Sequence, residues 1–208
     1  MSPVIGIVDY GMGNLVSVDN AFSFLGAVTR VINRPEKIKG LDAVVLPGVG
    51  AFGQAMENLR STGFIGSLRE AVVERKLPYL GICLGMQILA KRSSEMGDHE
   101  GLGWLSSRVE KISGAEGIRV PHVSWNQLKI SHSCRLLDQL TAKDSFYFDH
   151  SYQFATGSEH VVASTNYEGS IPAVVAKDNI FATQFHPEKS QRSGLLLISN
   201  FLKFVADQ

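Results

Sequence analysis

Pro78-Tyr79-Leu80-Gly81-Ile82-Cys83-Leu84-Gly85-Met86-Gln87 runs an apolar segment into a cysteine with a glycine two residues away on each side. Residues 78–82 have the composition of a strand buried on both faces. Residues 84–92 carry a helical pattern, so Cys83 falls at a strand-to-helix junction. Small residues on either side permit a turn tight enough to thrust the middle side chain outward, as in a nucleophile elbow with sulfur in place of oxygen. A helix N-terminus there favours thiolate over thiol. The Leu84 N–H would point toward a developing oxyanion. A buried Cys in a strand is the plain alternative for a lone cysteine. Cys134, among Ser131, His132 and Ser133 with no such junction, is read that way.

Upstream, the β-branched run at 4–8 predicts a strand. Leu15, Val18, Phe22 and Leu25 lie at helical spacing, with Gly26 as a C-cap. Strands follow at 27–32 and at 42–46, the latter stopped by Pro47-Gly48. Residues 56–74 read as helical, broken near Gly63 or Gly66. Alternating strand and helix implies a mainly parallel sheet with helices on both faces. Downstream, short segments at 119–121, 145–148, 160–164, 173–177 and 180–185 predict an antiparallel extension of that sheet. An amphipathic helix at 193–204 closes the chain.

The 208 residues suit one domain, and no linker divides them. Lys and Arg number 20, Asp and Glu number 20, and the formal net charge is +0. That balance leaves no basic excess for a nucleic-acid backbone or a polybasic membrane anchor. The longest mostly apolar stretch, 77–90, is shorter than the ~20 residues of a membrane helix. The first residues lack the charged flank and apolar core of a signal peptide. Two cysteines make no disulfide scaffold. With 44% hydrophobic and only 19% charged residues, the chain can build a core and keeps an uncharged surface suited to a partner. A cytoplasmic enzyme is the expectation.

A thiolate nucleophile needs a proton shuttle, and the shuttle needs an orienter. Of His99, His122, His132, His150, His160 and His186, the last has the best context. It follows the apolar run at 180–185, Pro187 stiffens the next turn, and Glu188 can fold back onto the imidazole. His150 is the rival base. Its neighbour Asp149 is poorly placed to orient it, because adjacent strand residues face opposite ways. Pro47-Gly48-Val49-Gly50 follows the third strand and would share the carboxyl edge of the sheet with Cys83. Its glycines can present backbone N–H groups, with Val49 and Gly50 as oxyanion donors beside Leu84. Nothing in these motifs calls for a metal or a cofactor.

Together these segments resemble the class I glutamine amidotransferase family, and within it the glutaminase-subunit branch of imidazole glycerol phosphate synthase. The resemblance covers nearly the whole chain. It rests on Asp9-Tyr10-Gly11-Met12-Gly13-Asn14-Leu15, Leu46-Pro47-Gly48-Val49-Gly50, Gly81-Ile82-Cys83-Leu84-Gly85-Met86-Gln87 and Gln184-Phe185-His186-Pro187-Glu188-Lys189-Ser190. It implies an α/β fold, a catalytic triad of Cys83, His186 and Glu188, and glutamine as substrate. Gly48, Gly50, Gln87, Glu95, Ser151 and Tyr152 match substrate-binding positions, with Glu95 suited to the ammonium. It also implies a heterodimer that passes ammonia to a (β/α)8-barrel cyclase subunit. Asn14, His122, Trp125, Asn126 and Lys189 match positions at or near that interface. Val123-Ser124 stands where the family usually reads Met-Gly, and Asp149 where it usually has Val. The segments at 51–60 and 101–104 also resemble a paralogous branch that feeds ammonia to a sugar amidation in surface-polysaccharide pathways.

Overall fold

The computed structural model describes residues 2–113, 119–155 and 157–208. The first half folds as β1 (Val4–Val8), α1 (Leu15–Phe24), β2 (Val28–Ile32), β3 (Ala43–Gly48), α2 (Phe52–Ser61), α3 (Phe64–Leu68), β4 (Tyr79–Cys83) and α4 (Leu84–Gln87). Strands β5 (Arg92–Ser93), β6 (His99–Glu100), β7 (Arg108–Lys111), β8 (His122–Gln127) and β9 (Lys129–Ile130) follow. Then come β10 (Ser145–His150), β11 (Tyr152–Phe154), β12 (Val161–Asn166), β13 (Ser170–Lys177), β14 (Ile180–Thr183) and the closing helix α5 (Gln191–Ala206).

The main sheet has the order β2-β1-β3-β4-β14-β13-β12-β9. β2, β1, β3, β4 and β14 run parallel, and β13, β12 and β9 extend them antiparallel. This is the expected mainly parallel sheet with its antiparallel extension. Period-two alternation sorts each central strand onto two faces. Val45, Leu80 and Ile82 pack with Val18 and Phe22 of α1 and Leu197, Ile198 and Phe201 of α5. Val44, Leu46 and Tyr79 pack on the other face with Phe52, Ala55 and Leu59 of α2 and Phe64 and Leu68 of α3. Every parallel strand therefore ends at one carboxyl edge, and the loops after β1, β3, β4 and β14 converge there.

Several boundaries depart from the expectation. β3 runs through Pro47-Gly48 instead of stopping before them. Its pairing with β1 ends at Val45, whereas its pairing with β4 continues to Gly48, so the missing N–H of Pro47 lies beyond the β1 ladder. The helical stretch starts at Phe52 and breaks at Gly63 (φ +78), and a π-helical turn, Arg69–Glu74, ends it. The helix expected over 84–92 is one turn, α4. The carbonyls of Ile88, Leu89 and Ala90 accept from the N–H groups of Leu102, Leu105 and Gly103 and not from a continuing helix. Residues 119–121 form no strand; β8 starts at His122. β14 stops at Thr183, short of Phe185. A small sheet, β11-β7-β5-β6, and the β8–β10 pair complete the second half.

The junction after β4 is set by backbone contact. A Cβ on Gly85 would lie 1.8 Å from the Leu46 carbonyl oxygen, and one on Gly81 would lie 2.4 Å from the Gly85 carbonyl oxygen. Gly85→Ala is expected to destabilise the chain by at least ~1–3 kcal/mol through overpacking against backbone that cannot step aside. Urea unfolding measures it. Gly66→Ala, in α3 with open space at its Cβ, is the neutral or mildly stabilising control.

Candidate active site

Cys83 closes β4 with φ 54 and ψ −108, a conformation costly for a residue with a side chain. Two features over-determine it. Gly85 packs against Leu46, and the Tyr79 hydroxyl donates to the Gly85 carbonyl at 2.9 Å. The β3–β4 register sets Gly48 opposite Cys83, so the Val49-Gly50 loop lies beside the sulfur. Gly50 has φ +101, which its lack of a Cβ allows.

His186 lies beyond β14, the neighbour of β4. Its N–H donates to the Tyr147 carbonyl at 2.9 Å, tying it to β10. A 3-10 turn, Pro187–Lys189, then folds Glu188 back, and Glu188 Oε1 accepts from His186 Nδ1 at 2.8 Å. Ser190 Oγ fastens the turn by donating to the His186 carbonyl and accepting from the Tyr147 N–H. The imidazole also faces Cys83. Burial pushes the imidazole down, but the hydrogen bonds and charges of Cys83 and Glu188 outweigh it and raise His186 to about 10. A protonated imidazole therefore faces the sulfur at neutral pH. This is the arrangement of a nucleophile, a proton carrier and an orienting carboxylate.

A cavity of about 300 Å³ opens over Cys83. Val49, Gly50, Leu84, Gln87, Glu95, Ser151, Tyr152 and Lys189 all line it, as does His186. Gly48 is not among the lining residues. Its Cα packs against the Tyr10 hydroxyl and Leu84, which leaves no room for a side chain. Glu95 is half-buried and accepts from the Phe52 N–H at 2.8 Å through Oε2. The Gln87 amide nitrogen donates to the Tyr152 carbonyl at 2.8 Å and to Gln184 Oε1 at 3.2 Å. Its carbonyl end is thereby left for a ligand in the cavity.

The residues matched to a partner surface divide. Trp125 is half-exposed and meets Tyr147 edge-on, and the Lys189 ammonium sits 5.6 Å from the Tyr147 ring centroid. Asn14 is exposed and caps α1 through the Ser17 N–H. His122 is fully buried beneath Phe148 and Tyr167, so its side chain presents nothing to a partner. Asn126 points inward with it. The outward residues of β8 are Val123, Trp125 and Gln127, and those of β10 are Ser145, Tyr147 and Asp149. His150 is no base for Cys83. Both of its ring nitrogens are engaged, one by His122 and one by the Tyr152 carbonyl.

One residue of the site had no role in the sequence reading. The Gln184 side-chain amide donates to Cys83 Sγ at 3.8 Å and is fully buried. The signal in the sequence was weak: Gln184 stands two residues before His186, but beyond the end of β14, where the chain bends and period-two alternation no longer places side chains. Pro121, Asp149 and His150 also reach the cavity wall.

Comparison with known proteins agrees with this geometry. The model of the family Glutamine amidotransferase class-I matches residues 6–204. Imidazole glycerol phosphate synthase subunit HisH 1 of Campylobacter jejuni is 43% identical over 200 residues, spanning 96% of this chain and 100% of the relative. Imidazole glycerol phosphate synthase subunit HisH of Geobacillus thermodenitrificans is 44% identical over 207 residues, spanning 97% and 96%. Among solved structures, PurLQS from Thermotoga maritima matches with a TM-score of 0.77 at 18% identity, over 98% of this chain and 99% of that one. A glutamine amidotransferase crystal structure matches with a TM-score of 0.74 at 24% identity, over 97% and 98%. With the family model spanning almost its full length, the chain belongs to the class I glutamine amidotransferases.

Proposed function

We propose that the chain is the glutaminase subunit of an imidazole glycerol phosphate synthase. It acts as one domain in a heterodimer with a (β/α)8-barrel cyclase subunit, in histidine biosynthesis. The observation that carries this reading is the buried Cys83–His186–Glu188 constellation, held at the carboxyl edge of β4 under a cavity sized for an amino acid. Relatives so named along the whole chain support the same partner.

Cys83 sulfur attacks the side-chain amide carbon of glutamine. The carbonyl oxygen takes up negative charge, and the N–H groups of Leu84 and the Val49-Gly50 loop are the nearby donors to meet it. The C–N bond then breaks, and His186 gives its proton to the departing ammonia. Water attacks the resulting thioester while His186 takes a proton, releasing glutamate and restoring the thiol. Glu188 holds the imidazole with Nδ1 toward itself and the other nitrogen toward the sulfur. Gln87 offers its carbonyl end to the substrate amide, Glu95 faces the substrate ammonium, and the Ser151-Tyr152 backbone receives the substrate carboxylate.

The ammonia passes to the cyclase, which uses it to form imidazole glycerol phosphate and AICAR. The outward face of Val123, Trp125 and Tyr147, beside Lys189 at the cavity mouth, suits that docking. No metal or cofactor enters these steps. The catalytic thiol suits a reducing cytoplasm, and both cysteines are free.

Glutamate release is measured with the chain alone, then with a purified imidazole glycerol phosphate synthase cyclase subunit and its nucleotide substrate. Strong stimulation is expected. Failure to respond, with Cys83 still alkylated by a glutamine-like label, would assign the ammonia to another acceptor such as a sugar. Cys83→Ala should abolish turnover and leave urea unfolding nearly unchanged; surviving turnover would sink the thioester route. Glu188→Gln removes a group that raises His186, so the imidazole loses its proton at lower pH. The rate needs that proton, so the alkaline limb of kcat/KM, which reports the free enzyme, should move from about 10 toward neutrality, with kcat lowered roughly a hundredfold. An unmoved limb would argue against His186 as the acid.

A further inference from the structure

His150 of β10 reaches the cavity wall, and His122 of β8 lies opposite it in register behind that wall, both buried. His150 Nδ1 is 2.8 Å from the Tyr152 carbonyl. A carbonyl only accepts, so Nδ1 carries the hydrogen. Burial pushes both imidazoles down to about 4, so both are neutral at pH 7. His150 Nε2 is then an acceptor, and His122 Nδ1, 3.0 Å away, is its donor. His122 Nε2 accepts in turn from the Asn126 amide at 3.3 Å, whose other hydrogen goes to the Asn166 carbonyl at 3.1 Å. One set of protons satisfies the whole chain, and it runs in one direction. Phe148 and Tyr167 stack on His122 and keep the ring in plane.

The Tyr152 carbonyl is a junction. It receives this chain from one side and the Gln87 amide from the other, and Gln87 leads through Gln184 to the Cys83 sulfur. Ser151 and Tyr152 both line the cavity. We propose that His150 is a positioning residue for the glutaminase site, set by His122, which holds the Ser151-Tyr152 backbone where the carboxylate end of glutamine binds. This rests on the glutaminase reading above. It assigns His150 to substrate placement rather than to proton transfer with Cys83. It also links β8 to the substrate pocket through the inward-facing side chains of His122 and Asn126.

His150→Leu keeps the packing but removes both hydrogen bonds. His150→Asn returns an N–H near the place of Nδ1. Glutamine hydrolysis is measured in the presence of the cyclase subunit. His150→Leu should raise KM for glutamine about tenfold or more, with kcat changed less. His150→Asn should recover most of the loss. Alkylation of Cys83 by iodoacetamide, which needs no carboxylate site, should keep its rate, whereas a diazoketone analogue of glutamine should react more slowly. A normal KM in folded His150→Leu, or no recovery in His150→Asn, would overturn the assignment. Nitrogen-15 NMR of histidine-labelled wild-type protein tests it without any variant: both rings should be Nδ1–H tautomers, and an Nε2–H tautomer at either ring overturns it. Absence of glutamine turnover and of analogue labelling in the wild-type protein would instead remove the glutaminase reading itself.

Discussion

One backbone contact governs the rest of the site: the approach of Gly85 to the carbonyl of Leu46, so close that no side chain fits between. It presses the turn after β4 against β3 and leaves Cys83 at φ 54. Such a conformation costs about 1–3 kcal/mol and persists only where surrounding structure over-determines it. Here the β3–β4 ladder, the Tyr79 hydroxyl and the two glycines do so. The strain aims the sulfur out of the sheet, toward the loops from β3 and β14. Helix dipole is a minor part of its activation, because α4 is a single turn. The donors that face the sulfur are side chains, His186 and Gln184.

The site couples a buried ion pair to a buried neutral network. On one side, His186 and Glu188 lie out of water, where removing either charge would leave the other poorly compensated. On the other, two histidines, two glutamines and an asparagine share hydrogens without a net charge. The two meet at Cys83. Such networks are rigid when every member is satisfied. The cavity rim is different in kind. Val49, on the cavity wall, is a large apolar residue left about half-exposed, as are Val123 and Trp125 on β8.

Much of this was legible in the residues. The β-branched runs and helical spacings locate the parallel strands and the helices around them, because a strand buried on both faces has no alternative to an apolar composition. The glycines around Cys83, and the Pro and Glu after His186, are local instructions that act within a few residues. The misread boundaries share a cause. Residues 88–90 are apolar all round and fully buried, so periodicity cannot separate a helix from a packed turn there. Which it is depends on carbonyls captured by residues 102–105, a contact between segments. Pro47 stays in a strand because its neighbour on that side has ended.

By itself the sequence located the elbow and singled out Cys83, His186 and Glu188, since each is marked by short-range stereochemistry. Only the tertiary structure decided which way the histidines of β8 and β10 face. His122 and Trp125 lie three residues apart on one strand, and pairing with β10 sends the first inward and the second out. It also decided that Gln184 reaches the sulfur and that the Tyr152 carbonyl gathers two polar chains. These depend on register and on strands far apart in the chain, and hydrogen bonds between such groups have no signature in the local order of residues.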